Sequence, residues 1–299
     1  MDISKFALFA SVAETRNFTK SGEKMGYTQP GVSHALKTLE TELGFPLFLR
    51  TKQGIELTPN AKAILPIIRE LLSVNEHLEQ VIASINGLDT GHLTIACFAS
   101  ISRNWLPAII HKFQQQYPGI EIELMEGGTD EIVGWVENNM ADFGLLSKRH
   151  TYGLEWIPLY KDPLMAILPT DYPICSSEYF PIEEMHEKTF IISAEGTDYD
   201  IHHALQKSGI APSIRFSCKD DFSIVTMVAN HLGISILPQL VVEGFSNSIL
   251  TLPLKPYYTR ELGIGISSRK NLSPAALNFI KILQETLPDL ITTKDYPEQ

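Results

Sequence analysis

The sequence is constrained most strongly by a repeating apolar pattern in its first third. From Ile64 to Ile85, apolar side chains recur at alternating steps of four and three residues, with Asn75 as the polar member. Held over three heptads, this spacing predicts a long helix whose apolar seam packs against a partner helix, although a helix packed on its own domain remains the alternative. Thr58-Pro59 is a typical helix start, and Asn86-Gly87 is a typical end. The predicted dimerisation seam is Ile64, Ile68, Leu71, Asn75, Leu78 and Ile82.

The long helix separates two parts of the chain that differ in charge. Residues 1–62 contain eight Lys or Arg and six Asp or Glu, whereas the remaining residues contain 16 and 29. The net charge of −11 therefore arises in the C-terminal part and leaves a small N-terminal module free to bind a polyanion. A chain of 299 residues is expected to hold about two domains. The predicted boundaries are 1–58 for an N-terminal domain, 59–87 for the linker and dimerisation helix, and 91–299 for a C-terminal domain of two lobes, formed by about 91–161 plus 267–299 and by 162–266.

Residues 1–57 have the pattern of three short helices followed by a β-hairpin wing. Thr19 is a candidate cap for the second helix, and Thr28 for the third, with Pro30 in its first turn. The third helix has an apolar stripe on one face and polar side chains on the other, as in a winged helix-turn-helix whose recognition helix enters a DNA major groove. A packing or dimerisation module is the alternative for this segment. The predicted DNA-binding residues are Thr19, Thr28, Gln29, Pro30, Ser33, His34, Lys37, Arg50 and Lys52.

The C-terminal part alternates strand and helix patterns, which predicts an α/β fold with parallel sheets covered by helices in two lobes. Phe222 to Val242 is a stretch of 21 residues without Asp, Glu, Lys or Arg. Its Asn, His, Gly and Pro residues favour a buried helix followed by a buried strand over a transmembrane helix. The N-terminus lacks a signal-peptide pattern, so a cytoplasmic protein without a membrane partner is expected.

The sequence lacks the motifs that are typical of several other classes of protein. A nucleophile elbow, a P-loop, a dinucleotide-binding glycine motif and an HExxH zinc motif are absent, so neither catalysis nor a cofactor is expected. Asp198, Asp200, His202 and His203 match no strong metal-site spacing, and no metal is predicted. Three cysteines without a CxxC pair argue against a disulfide framework and fit a reducing cytosol.

The N-terminal segment closely resembles the winged helix-turn-helix of LysR-type transcriptional regulators. The matches are Asn17-Phe18-Thr19, Thr28-Gln29-Pro30, Ser33, Leu39-Glu40 through Leu43-Gly44, Pro46-Leu47-Phe48, Arg50 and Leu57-Thr58-Pro59. The resemblance continues through the chain at Gly91-His92-Leu93-Thr94-Ile95, Asp142-Phe143-Gly144 and Gly233-Ile234-Ser235-Ile236-Leu237-Pro238. The chain departs from the family pattern at His34, where Arg is usual, and at Gly22 and Gly31, where Ala is usual.

The resemblance implies a sequence-specific DNA-binding regulator that assembles through its linker helix into a homodimer or homotetramer and binds promoter or operator DNA. It also implies a periplasmic-binding-protein-like C-terminal domain with a small-molecule effector between its lobes. Hydroxyls, N–H groups and an Arg in the corresponding loops suit an anion. The implied effector-binding residues are Ser100, Ser102, Arg103, Gly128, Thr129, Ser193, Thr197, Phe222 and Ser223. The alternatives are a solute-binding protein without a DNA-binding role and a redox-sensing regulator, although Cys175 and Cys218, 43 residues apart, lack the local spacing of a sensing pair.

Overall fold

The N-terminal domain consists of three helices and a hairpin around a small core. The computed structural model describes residues 2–51, 54–86, 90–149, 153–193, 199–245, 247–268 and 272–291. The elements of this domain are α1 (Ile3–Thr15), α2 (Phe18–Met25), α3 (Gln29–Leu43), β1 (Phe48–Thr51) and β2 (Gly54–Leu57). Phe9, Val32 and Leu39 are fully buried in its core. The Phe48 ring packs edge-on against Phe9 and Phe18 and thereby fixes the hairpin to the helices.

The second helix begins two residues earlier than the sequence predicts and has a different cap. Asn17 is in an extended conformation, and its Oδ1 accepts hydrogen bonds from the backbone N–H groups of Thr19 (2.9 Å) and Lys20 (3.1 Å). The prediction that Thr19 caps this helix was therefore wrong. Phe18 already belongs to the helix because its ring packs against the domain core, and this leaves Thr19 exposed in the first turn.

The long helix α4 spans Pro59–Ile85, and Thr58 is its N-cap as predicted. Its first turns belong to the N-terminal domain, because Ile68 is buried in the same core as α1 and α3, and Ile64 packs against that core. The assignment of these two side chains to an intersubunit seam is thereby corrected, since their partners lie in their own chain. The exposed apolar residues of α4 are Ile67, Leu71, Val74, Leu78, Ile82 and Ile85.

The C-terminal domain contains ten strands and seven α-helices within the described residues. Its elements are β3 (Thr90–Cys97), α5 (Ala99–Asn104), α6 (Leu106–Gln116), β4 (Gly119–Glu126), α7 (Thr129–Glu137), β5 (Phe143–Ser147), β6 (Glu155–Leu168), β7 (Phe180–Pro181), β8 (Thr189–Ser193), α8 (Tyr199–Ser208), β9 (Ser213–Cys218), α9 (Asp221–Ala229), β10 (Ser235–Pro238), α10 (Gln239–Val242), β11 (Leu250–Lys255), β12 (Thr259–Ile266) and α11 (Pro274–Leu290). A short 3₁₀-helix, Ile182–Met185, precedes β8.

The main sheet is mixed rather than parallel. Its strand order is β4-β3-β5-β12-β6-β11-β7, with β10 paired to β6, and β8 and β9 pair separately. Strand β3 is parallel to both of its neighbours, but β12 is antiparallel to β5 and to β6. The expectation of parallel sheets alone was therefore wrong, because the chain passes between the lobes through the long antiparallel pair of β6 and β12.

Two hydrophobic cores define the two lobes. The first contains residues of β3, β5, α6, α7 and α11, together with Leu262, Ile264 and Ile266 of β12. The second is built around β6, β8, β10 and β11, with α8 and α9 on its faces. Strand β12 thus joins the first core from Leu262 onward, five residues before the predicted lobe boundary at residue 267.

A glutamine fastens the linker helix to the C-terminal domain. Gln80 of α4 is buried, with 5% of its surface exposed. Its Nε2 donates a hydrogen bond to the His92 carbonyl oxygen (2.9 Å), and its Oε1 accepts one from the Ala275 N–H (3.3 Å). One side chain therefore joins α4 to strand β3 and to the first turn of α11.

The apolar stretch from Phe222 to Val242 folds as α9, β10 and α10, and its inward-facing residues are buried. The predicted helix followed by a buried strand is confirmed, but α9 is buried on one face only, since Phe222 and Thr226 are exposed. Over the described ranges, no helix is long and apolar enough to cross a membrane.

Candidate DNA-binding face and effector cleft

Helix α3 presents a polar face to solvent. The Thr28 Oγ1 caps it by accepting the Gly31 N–H at 3.3 Å, as predicted. Val32, Leu36 and Leu39 bury the opposite face. The predicted DNA-binding residues Thr28, Gln29, Pro30, His34 and Lys37 are exposed, and Ser33 is half-buried among them. The helix is therefore anchored by its apolar side while its polar side remains available for contact.

The turn between α2 and α3 requires a glycine at residue 22. The Tyr27 N–H donates to the Gly22 carbonyl oxygen at 2.8 Å, which draws the end of the turn against α2. A Cβ atom on Gly22 would lie 2.6 Å from the Tyr27 carbonyl oxygen. This close approach fixes the angle between α2 and α3, and an alanine at this position would force the helices apart.

The hairpin wing lies next to α3. Strands β1 and β2 are antiparallel, with Arg50 opposite Ile55. The Leu47 N–H donates to the Glu40 Oε1 (2.7 Å), so the start of the wing is tied to α3. The backbone of Arg50 lies in β1, and Lys52 lies outside the described residues.

A cleft of about 350 Å³ opens between the two lobes of the C-terminal domain. It lies where β3 and β8 end, as expected for a ligand site in an α/β fold. The predicted effector-binding residues on its wall are Ser100, Arg103, Gly128, Ser193 and Phe222. Ser102, Thr129 and Ser223 lie next to wall residues but do not line the cleft, and Thr197 lies outside the described residues.

A buried ion pair forms the floor of the cleft. Asp162 is fully buried, and its Oδ2 accepts hydrogen bonds from the Arg260 Nη2 (2.8 Å) and Nε (2.9 Å). Its Oδ1 accepts the Leu240 N–H (3.1 Å), and the Arg260 Nη2 also reaches the Ser100 Oγ (3.3 Å). Sequence reasoning missed both ionic partners, because they lie on different strands, 98 residues apart, and neither belongs to a motif.

Several polar groups that were predicted to meet an anionic effector are bound by the chain's own carboxylates. The Gly128 N–H donates to the Glu131 Oε2 (2.9 Å), and the Ser102 hydroxyl donates to Glu126. Asp220 accepts the Ser223 N–H (2.9 Å) and the Ser223 hydroxyl (2.8 Å). The N-termini of α7 and α9 are thus already occupied by negative groups, so these N–H groups and hydroxyls are engaged by carboxylates of the chain rather than open to an anionic ligand.

Comparisons with known proteins identify the family. The model of the bacterial regulatory helix-turn-helix protein, lysR family, matches residues 3–62, and the LysR substrate binding domain matches residues 86–288. The chain belongs to the LysR family. Similar relatives are the HTH-type transcriptional regulator YvbU of Bacillus subtilis (32% identical; 95% of this chain and 98% of that one) and the HTH-type transcriptional activator CmpR of Synechocystis (28% identical; 94% of both). A full-length OxyR variant from Pseudomonas aeruginosa has the same fold, with a TM-score of 0.77, 20% identity and 99% of both chains covered.

This LysR-type transcriptional regulator thus has an N-terminal helix-turn-helix DNA-binding domain and a C-terminal effector-binding domain, as the resemblance implied. From Ile67 onward, the linker helix carries an exposed apolar strip. Leu71, Leu78 and Ile82 of the predicted seam are 44–57% exposed, and Ile67 and Val74 lie on the same side. Asn75 is half-buried, and its Nδ2 donates to the Glu79 Oε1 (2.9 Å) of the same helix.

The residues considered as a metal cluster have other contacts in the regulator. Asp200 accepts a hydrogen bond from the Ser147 hydroxyl (2.9 Å), which connects α8 of the second lobe to β5 of the first. His203 stacks on Tyr199, with ring centroids 6.1 Å apart. Asp198 lies outside the described residues.

The three cysteines occupy different environments. Cys97 is fully buried at the end of β3, and burial raises the pKa of its thiol to about 12. Cys175 is exposed, whereas the Cys218 Sγ lies 3.6 Å from the Met227 Sδ. Cys97 is therefore part of the hydrophobic core of the first lobe, with its thiol shielded from solvent.

Proposed function

We propose that this LysR-type regulator acts as a homo-oligomer that reads a dyad-symmetric DNA site with α3 of each subunit. The exposed polar face of α3, on a helix whose other side is buried, is the observation that carries this proposal. Gln29 is suited to bidentate pairing with adenine, and Ser33 and Lys37 to base edges or phosphates. Thr28, Arg50 and Lys52 contact the backbone phosphates and set the register. His34 supplies a hydrogen-bonding ring where the family usually has a fixed positive charge.

The exposed strip of α4 supports assembly through the linker helix. A row of large apolar side chains from Ile67 to Ile85 is costly to leave in water, and a second copy of the helix buries it. The resulting homodimer presents two recognition helices, as a dyad-symmetric site requires, and two such dimers form a homotetramer.

The cleft supports control by a small molecule. Contacts between the lobes cross it at several points. The Arg103 Nη2 donates to the Val241 carbonyl oxygen (2.8 Å), and the Asn104 Nδ2 donates to the Leu240 carbonyl oxygen (2.7 Å). A ligand that favours one arrangement of these contacts shifts the balance between lobe positions, and through them the placement of the subunits on DNA. The output is a change in DNA binding or bending, without catalysis.

The experiment is a footprint titration of the full-length protein. DNA from upstream of its own gene is compared with a scrambled sequence near ~150 mM salt, where nonspecific phosphate contacts are weakened. We expect protection of a dyad-symmetric site in the first DNA only. The Gln29→Ala variant should lose roughly 5- to 100-fold of this preference, the range for one bidentate base contact, and retain binding to scrambled DNA.

The matched control is Gln114→Ala, which removes the same side chain from an exposed position on α6. It should leave the footprint unchanged. Equal losses for Gln29→Ala on both DNAs would contradict a base-reading role for α3.

A further inference from the structure

The cleft between the lobes is lined by more negative than positive groups. Within the described part of the chain, its wall includes the carboxylates of Glu126, Glu131, Asp220 and Asp221 and the cations of Arg103, Lys219 and Arg260. The Arg260 guanidinium is already neutralised by Asp162, which holds it through two hydrogen bonds. The charges that remain for a ligand are therefore predominantly negative.

One guanidinium attracts three carboxylates at the floor of the cleft. Arg260 interacts electrostatically with Asp162, Asp200 and Asp221. Burial nevertheless raises the pKa of all three carboxyl groups, because removal from water disfavours their charged forms more than Arg260 favours them. Asp200 has further partners, since it accepts the Ser147 hydroxyl and is also attracted by Arg149 and His203. Asp221 is attracted by Arg260, which Asp162 already holds through two hydrogen bonds, and by Arg103, so a cation in the cleft would add favourable charge beside Asp221.

Asp221 is the member of this group that lines the cleft. It lies in the first turn of α9, next to Asp220, which caps the helix and adds a second negative charge. Arg103 also faces it, but Arg103 is hydrogen-bonded to the Val241 carbonyl and lies 5.5 Å from the Phe245 ring centroid. The Asp221 carboxylate is therefore placed to receive a positive group from the cleft.

We infer that the effector of this regulator carries a protonated nitrogen that pairs with the Asp221 carboxylate in the interlobe cleft. This inference rests on the proposed function of the cleft as the effector site. The buried Ser100 and Ser193 of the cleft wall supply polar atoms for the rest of the ligand, and Phe98 and Phe222 supply aromatic surface. Aromatic faces attract cations as well as apolar groups. A cleft of about 350 Å³ fits an amine of small-metabolite size.

The test is a binding screen on the full-length protein by thermal shift, followed by calorimetry. The probes are matched sets: the L-amino acids, their decarboxylated amines, the N-acetyl derivative of each, and a set of aliphatic and aromatic carboxylates without nitrogen. We expect stabilisation by at least one probe with a free ammonium group and none by its N-acetyl derivative. Asp221→Asn should weaken that binding by roughly 10- to 100-fold, the cost of a lost charged hydrogen bond.

Two controls keep the result interpretable. Asp289→Asn removes a carboxylate from an exposed position on α11 and should leave binding unchanged. Asp221→Ser serves as a second variant, and the midpoint of thermal unfolding without ligand reports whether each variant folds.

The inference is overturned by stabilisation from nitrogen-free carboxylates alone, by equal binding of an amine and its N-acetyl derivative, or by unchanged affinity in Asp221→Asn. Failure of every ammonium probe to bind also overturns it. None of these outcomes changes the footprint on DNA. A protein that protects its operator but does not bind amines would therefore support the proposed function and contradict only this effector class.

Discussion

At the scale of single residues, the structure depends on contacts that residue type and local propensity do not reveal. Gly22 illustrates this, because helix propensity alone assigns it a cost of about 1 kcal/mol relative to alanine. The reason for a glycine is the Tyr27 carbonyl oxygen across the turn, 2.6 Å from the position of a Cβ atom. The pair of Asp162 and Arg260 is a second case, since neither residue stands in a recognisable pattern.

The buried ion pair gives a stability prediction. Arg260→Met should lower the free energy of unfolding by about 3–5 kcal/mol, because it leaves the Asp162 carboxylate buried without its cation. The double variant Asp162→Asn with Arg260→Met should recover most of this loss, since the uncompensated charge is gone and an amide oxygen can still accept the Leu240 N–H.

Denaturant titration of the full-length variants measures the effect, with Arg215→Met, an exposed arginine on β9, as the control. A double variant as unstable as the single one would show that the cost comes from lost packing rather than from the unpaired charge.

At the scale of elements, the sequence predicted most helices and strands but not all of their partners. The heptad pattern correctly indicated one long helix. It did not distinguish Ile64 and Ile68, which pack on their own domain, from Leu78 and Ile82, which remain exposed. The same apolar spacing serves both kinds of contact, so periodicity cannot separate them. Likewise, buried and exposed side chains do not alternate along β6 and β12, because each strand runs from a partly exposed segment into a buried one.

The exposed apolar strip of α4 predicts that a charged side chain placed in it disrupts oligomerisation. Leu78→Lys should convert the oligomer to monomers or weaken its association at least tenfold, since a lysine in an apolar seam between helices loses its water. Ser84→Lys adds the same charge to an exposed position on a different side of α4 and should leave the assembly intact. Sedimentation velocity over a range of concentrations measures both variants, and an unaltered Leu78→Lys oligomer would exclude this strip as the interface.

At the scale of the whole molecule, the contacts that join lobes and domains link residues far apart in the sequence. Four of the five predicted residues on the cleft wall, Ser100, Gly128, Ser193 and Phe222, lie at a strand end or a helix start, where local sequence is informative. Arg103 lies in the last turn of α5. The floor of the cleft, with Asp162, Asp221 and Arg260, depends on how the lobes meet, which local sequence does not specify. Gln80 belongs to the same class, since its two partners are 12 and 195 residues away.

The Gln80 contact predicts how firmly the linker helix holds the effector domain. Gln80→Leu replaces the amide with an apolar side chain of similar size. The buried Ala275 N–H and the His92 carbonyl oxygen then lose their hydrogen-bond partner. The free energy of unfolding should fall by about 2–3 kcal/mol, because two such groups lose their partner. Hydrogen exchange should become faster at the Ala275 amide and at neighbouring amides of β3, while α1 to α3 keep their protection.

Glu79→Gln, next to it on an exposed position, is the control and should exchange like the wild type. If protection at Ala275 were unchanged in Gln80→Leu, this glutamine would not be what holds the domains together.

The crossing of β6 and β12 between the lobes also bears on how the protein is made. The core of the first lobe includes Leu262, Ile264 and Ile266 of β12 and several residues of α11, all of which follow the second lobe in the chain. The second lobe draws its core from residues 164 to 254 and has all of its parts earlier. During synthesis, the second lobe can therefore fold before the first, while β3, β4 and β5 keep apolar faces exposed until β12 and α11 have been made. A chain that stopped before β12 would carry a complete core in the second lobe and an incomplete core in the first, whose exposed apolar surface would make it prone to aggregation.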